Sequence, residues 1–200
     1  MERAPFTPSE ILLLRKAIEI AEEVTSNHHK ISTSQWRRYR YDIQSLRDLA
    51  PDEITDLAFA QIRRYVRAPE QRSSASRHGE FFKICLQDHV IRRATERDRP
   101  IHLLPLATYI VTHELIHVIR FSRFLQRFQT DSSERDREEQ RVHSQTHGLL
   151  KSQKIEGLEL VLGAFRDCCM METFVSSGEA AADPGSPPPK RTAEPGTPAG

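Results

Sequence analysis

Residues 103–119 read Leu103-Leu104-Pro105-Leu106-Ala107-Thr108-Tyr109-Ile110-Val111-Thr112-His113-Glu114-Leu115-Ile116-His117-Val118-Ile119. The chain is at its most apolar from Ile101 to Phe128, and this run predicts a buried helix, with Pro105 in its first turn or kinking it. Within it stand His113, Glu114 and His117. Side chains at i and i+4 share one helix face. Two imidazoles so spaced can hold one zinc ion, with ligand distances of about 2.0–2.1 Å. Glu114, one residue around from the first histidine, can face a metal-bound water without ligating the metal itself. Charged groups inside an apolar helix are costly unless paired, and a divalent cation is a natural partner. The alternative is a half-exposed polar stripe whose histidines only hydrogen-bond.

A zinc site needs a third ligand. Downstream, Asp131-Ser132-Ser133-Glu134 is a helix start signal, and the helix it opens extends to about Lys154. That helix offers Glu138, Glu139, His143 and His147. At 3.6 residues per turn, Glu139 falls ~40° from the mean direction of Val142, Leu149 and Leu150, Glu138 ~60° and His143 ~80°. Glu139 is therefore the first choice as third ligand, then His143, then Glu138. For each acidic residue the alternative is a solvated face lined by arginines. Arg120, Arg123 and Arg127 are expected to pair with Asp131, Glu134 or Asp136 across the turn.

Working back from the apolar helix, Arg97–Pro100 reads as a turn and Glu80–Gln87 as a strand, with Phe82, Ile84 and Leu86 alternating with Lys83 and Gln87. Asp88-His89 closes it. Residues 67–79 read as a loop. A helix opens at Thr7-Pro8-Ser9-Glu10, with Thr7 as N-cap and an apolar stripe of Ile11, Leu14, Ile18, Ala21 and Val24, and Asn27–Lys30 ends it. Further helices are expected over Gln35–Leu49 and from Pro51, the latter with a face of Ile54, Leu57, Ala58, Ile62 and Tyr65. A last helix is expected from Ile155 to about Phe174. Residues 176–200 carry no large apolar side chain and read as a disordered Pro/Gly/Ala-rich tail. The organisation expected is a helical region over 1–79, a metal-binding core over 80–175 and that tail. The fold class is α+β, predominantly helical.

Composition excludes several classes. Among 200 residues, 29 Lys and Arg against 28 Asp and Glu leave a net charge of +1, so no global field steers the chain to nucleic acid or acidic membranes. Trp36-Arg37-Arg38-Tyr39-Arg40-Tyr41 reads as a helix with aromatics inward rather than as a single-strand binding platform. No nucleic-acid partner is expected. Cys85, Cys168 and Cys169 fit neither a disulfide scaffold nor a zinc finger. The start lacks a basic and then apolar leader, which predicts a reducing cytoplasmic setting. Ile101–Ile119 is near the length of a membrane span but contains His102, His113, Glu114 and His117, with Arg120 and Arg123 close behind, so no membrane embedding is expected.

The His113-Glu114-x-x-His117 helix followed by a Glu-bearing helix resembles the zincin metallopeptidases, in particular the gluzincin branch that includes the thermolysin-like enzymes. The resemblance covers roughly residues 81–150; the first 79 residues match no named pattern. It implies His113, His117 and Glu139 as zinc ligands and Glu114 as general base. His143 stands four positions after Glu139, where many members carry an Asp that orients a zinc histidine. A histidine there could orient a ligand, or stabilise the oxyanion of a tetrahedral intermediate. The family also carries an edge strand that pairs with extended substrate, and Phe81–Leu86 is the matching segment. The metzincin G-x-x-H extension is absent. The function expected is a small zinc-dependent hydrolase, foremost a metallopeptidase acting on a peptide or protein substrate. The alternative is a zinc-binding regulatory or interaction module without general protease activity. No oligomeric state follows.

Overall fold

The computed structural model describes residues 3–36, 39–66, 80–97, 100–123, 125, 131–165 and 172–177. Its helices are α1 (Pro8–His29), α2 (Thr33–Trp36), α3 (Asp88–Arg97), α4 (Leu103–Ser122), α5 (Ser132–Leu150) and α6 (Leu158–Ala164). Its strands are β1 (Tyr41–Gln44), β2 (Ala60–Val66), β3 (Glu80–Leu86) and β4 (Glu172–Ser177). The fold is thus α+β and predominantly helical, with one small sheet in the order β1-β3-β2-β4.

Helix α4 organises the rest. From Pro105 to Phe121 every residue is buried. A helix that is apolar all round is stable only when covered on every side, and here α1, α3, α5, α6 and the sheet all pack against it. Leu106, Leu115, Ile116 and Ile119 are each fully buried, each worth roughly 1.5–3 kcal/mol of transfer free energy. Pro105 falls within the first turn, where its missing N–H costs nothing. The enclosure explains why so greasy a segment belongs to a globular core: no described helix is long and apolar enough to cross a membrane.

Helix α1 begins as expected. Thr7 accepts from the Glu10 backbone and the Glu10 carboxylate accepts from the Thr7 N–H, a reciprocal cap. Leu14, Ala17, Ala21 and Val24 then face α4 and the core. Asp131 caps α5 through the Glu134 N–H at 2.8 Å.

Several expectations are corrected. The helix expected over 35–49 is instead the short α2, strand β1 and a 3-10 turn at Leu46–Asp48. Trp36 packs edge-on against both Tyr39 and Tyr41. The helix expected from Pro51 is a 3-10 turn at Pro51–Glu53 followed by β2. There Ala60 and Ile62 enter the core, while Leu57, expected on the buried face, is 82% exposed. Residues 1–79 are therefore not wholly helical: β1 and β2 share a sheet with β3, and Phe6 and Leu14 share one core with Leu115 and Leu158.

β3 matches its expected range but not its expected place. It pairs in parallel with β1 and antiparallel with β2, so it lies inside the sheet. A strand with both neighbours in place has no free ladder for an incoming peptide, and the substrate-pairing role expected of Phe81–Leu86 is withdrawn. The turn expected at Arg97–Pro100 is preceded by α3, which the sequence reading passed over. Asp88, its first residue, is fully buried and accepts from the backbone N–H of Phe6 at 2.8 Å and of Leu46 at 3.0 Å, tying three segments together. The last helix is shorter than expected. Gly157 precedes it with φ at 78°, a left-handed conformation that an L side chain adopts only under strain. By residue 172 the chain is in β4, which also takes in Ser176 and Ser177 of the expected tail. The loop at 67–79 and the remainder of the tail lie outside the described residues.

Candidate metal centre

His113 and His117 leave α4 one turn apart, as the four-residue spacing requires, and their Nε2 atoms lie 3.2 Å from each other. Helix α5 crosses beside them and delivers Glu139. One carboxylate oxygen is 3.4 Å from His113 Nε2, and the other is 3.5 Å from His117 Nε2. A tetrahedral zinc with ligand bonds of 2.0–2.1 Å places neighbouring ligand atoms about 3.3–3.4 Å apart. The donor set of two imidazoles and a carboxylate is of the kind zinc takes, and each histidine is approached by a different oxygen of Glu139.

His143, one turn after Glu139 on α5, also reaches this centre. Its ring centroid is 4.4 Å from that of His113, and ligand atoms of His113, Glu139 and His143 lie within 4.8 Å of one another. His143 Nδ1 lies 2.7 Å from the hydroxyl of Tyr109. The two motif histidines and Glu114 are buried, at 4% exposure for His113, 0% for His117 and 2% for Glu114. The Glu139 side chain keeps 13%. In so dry a site every electrostatic interaction is stronger than in water.

Glu138, the last choice for third ligand, is spent elsewhere. Its carboxylate pairs with the guanidinium groups of Arg120 and Arg141. Arg120 is 9% exposed and Glu138 8%, so each neutralises a charge that would be expensive alone. The pair also bolts the last turns of α4 to α5, close to the histidines. The expectation that Arg120 and Arg123 pair with Asp131, Glu134 or Asp136 is corrected: Arg123 donates to Tyr39 Oη at 2.9 Å. Arg127 lies outside the described residues. His89, at the close of the strand, is buried and bonds Asp56 at 2.8 Å. His147 is half-buried.

Tyr109 was not among the residues singled out from the sequence, although its spacing carried the signal. Tyr109, His113 and His117 recur every four residues on one stripe of α4, and Tyr109 is 5% exposed. Its ring stacks on Phe165 at 5.2 Å, and Phe165 in turn meets Phe59 edge-on. No family model, no curated protein and no solved structure matches this chain. The functional reading therefore rests on the site itself.

Proposed function

We propose that this protein is a zinc-dependent hydrolase of zincin type, and foremost a peptidase acting on a peptide or protein substrate. One observation carries the reading: His113, His117 and Glu139 converge at separations of 3.2, 3.4 and 3.5 Å, with Glu114 in the same turn of a buried helix. His113, His117 and Glu139 would hold the metal, leaving a fourth position open. Zinc, when bound, supplies Lewis acidity and lowers the pKa of a coordinated water to about 7. Glu114 is the general base, taking a proton from the attacking water and passing it to the departing amine. Its helix packs against α1, α3, α5, α6 and β2, which fixes the backbone that carries Glu114.

The test pairs metal content with turnover. Wild type should bind about one zinc per chain, and His113→Ala should lose it. Glu114→Gln should keep the metal but lose cleavage of a broad peptide library. Protein that holds no zinc and gains none on titration sinks the proposal.

A second reading is a zinc-binding regulatory or interaction module. The observation favouring it is the enclosure of the centre, with His117 at 0% and Glu114 at 2% exposure. It gains if wild type binds zinc yet cleaves nothing in the library, and it is excluded by metal-dependent cleavage that Glu114→Gln abolishes.

A further inference from the structure

Tyr109 is fixed by its ring and reaches the centre by its hydroxyl. The ring lies within 30° of parallel to those of His113, His143 and Phe165, at centroid distances of 6.3, 6.2 and 5.2 Å. The hydroxyl meets Nδ1 of His143 at 2.7 Å. The bond joins α4 to α5 on the histidine side of the centre, as the Arg120–Glu138 pair joins them further along.

A neutral imidazole carries one proton, and the bond made by one nitrogen decides what the other can offer. Where the phenol donates to Nδ1, the proton sits on Nε2 and His143 presents an N–H. Where the phenol accepts from Nδ1, Nε2 presents a lone pair, which is what a metal ligand needs. At 2.7 Å the two atoms are hydrogen-bonded, and that distance fits donation in either direction. Coordination chemistry decides between them. With His113, His117 and Glu139 as ligands, a fourth protein ligand would close a tetrahedral site and leave no place for water.

We propose that Tyr109 is a positioning residue that donates to His143 Nδ1 and so fixes the Nε2–H tautomer, holding His143 beside the metal ligands as a hydrogen-bond donor and not as a fourth ligand. This rests on the hydrolase reading for its use. The group that the N–H recognises is a carbonyl oxygen that gains negative charge as its carbon becomes tetrahedral. Tyr109 touches no substrate and acts through His143.

The experiment follows the tautomer itself. The full chain, carrying ¹⁵N-labelled histidine, is examined by NMR well above the ordinary imidazole pKa, as purified and after zinc titration. Wild type should show His143 protonated on Nε2. Tyr109→Phe, which keeps the stacked ring, should let the two tautomers exchange. Zinc affinity should fall by less than about 10-fold in Tyr109→Phe and His143→Ala, because neither variant removes or orients a ligand. In an active preparation, kcat should fall roughly 10²–10³-fold in His143→Ala with KM little changed. Nδ1 protonation in wild type, an unchanged tautomer in Tyr109→Phe, or a 10–100-fold loss of zinc affinity in either variant overturns the proposal. Absence of hydrolysis in wild type strikes the hydrolase reading instead, and the tautomer measurement still decides the role of Tyr109.

Discussion

Removing His117 should uncouple zinc from folding. Its Nε2 sits 3.2 Å from His113 and 3.5 Å from Glu139, so His117→Ala deletes two of the three close approaches that define the centre. Of those three approaches only His113–Glu139 at 3.4 Å remains, with His143 beside it as the hydrogen-bond donor proposed above and not as a replacement ligand. In wild type, free zinc at about 1,000 times its Kd stabilises the native state by ~4 kcal/mol. For a chain of 200 residues each kcal/mol moves the melting temperature by ~2–4 °C. The zinc-induced rise should therefore be about 8–16 °C in wild type, reversible by chelator, and close to zero in His117→Ala. Because His117 is fully buried, its removal lowers the baseline too, so the informative quantity is the increment and not the melting temperature. Val161→Ala, fully buried in α6, supplies the control. It should melt earlier through the cavity it leaves, yet keep the whole increment. Equal increments in wild type and His117→Ala, or none in wild type, would refute the argument that these side chains share a metal.

Two further outcomes follow from buried charge away from the centre. Glu53, 3% exposed, binds Lys83 at 2.7 and 2.8 Å and also accepts from Ala50 N–H and Tyr65 Oη. Lys83→Met strands that carboxylate and should cost about 3 kcal/mol in urea unfolding, because the two remaining donors soften the penalty; a loss under about 1 kcal/mol would show that the pair is dispensable. His29 is held at about 4, down from 6.5, first by burial and then by the positive charges of His28, Arg123 and Arg120. The native state therefore resists a proton that the unfolded chain accepts, so this contribution is complete above pH 6.5 and is lost as pH falls toward about 4. With chelator present, His29→Gln should flatten that part of the stability profile, and an identical slope in both proteins would exclude His29 as its source.

How much of this was legible in the sequence depends on how local each signal is. The cap at Thr7 and Glu10, the strand at Glu80–Leu86 and the openings of α4 and α5 are written in neighbouring residues, and the structure follows them, although α5 ends at Leu150, short of the expected Lys154. The orientation of Glu139 toward the α4 histidines follows from helical spacing and the direction of Val142, Leu149 and Leu150. The region 35–66 obeys no such local signal. Its turn at Pro51–Glu53 is fixed by a carboxylate that meets Lys83 thirty residues on, and β1 exists through its register with β3, Tyr41 against Phe82 and Ile43 against Ile84. Such pairings lie far apart in the chain, so periodicity within a window cannot report them. Asp88 shows the same limit from the other side. In the sequence it reads as the close of a strand, whereas it opens α3 and its carboxylate is used on Phe6 and Leu46. Tyr109 was legible by spacing alone but hidden among apolar neighbours, where an aromatic reads as packing.

In α4, Leu115 and Ile116, both fully buried, sit between Glu114 and His117. Packing and chemistry are interleaved there residue by residue, so a change of shape at either hydrophobe re-aims the groups beside it. An engineer wishing to retune this centre has little freedom along that helix. Room for variation lies on the outer side of α5, where Gln140 and Ser144 follow Glu139 and His143 in the chain and are exposed.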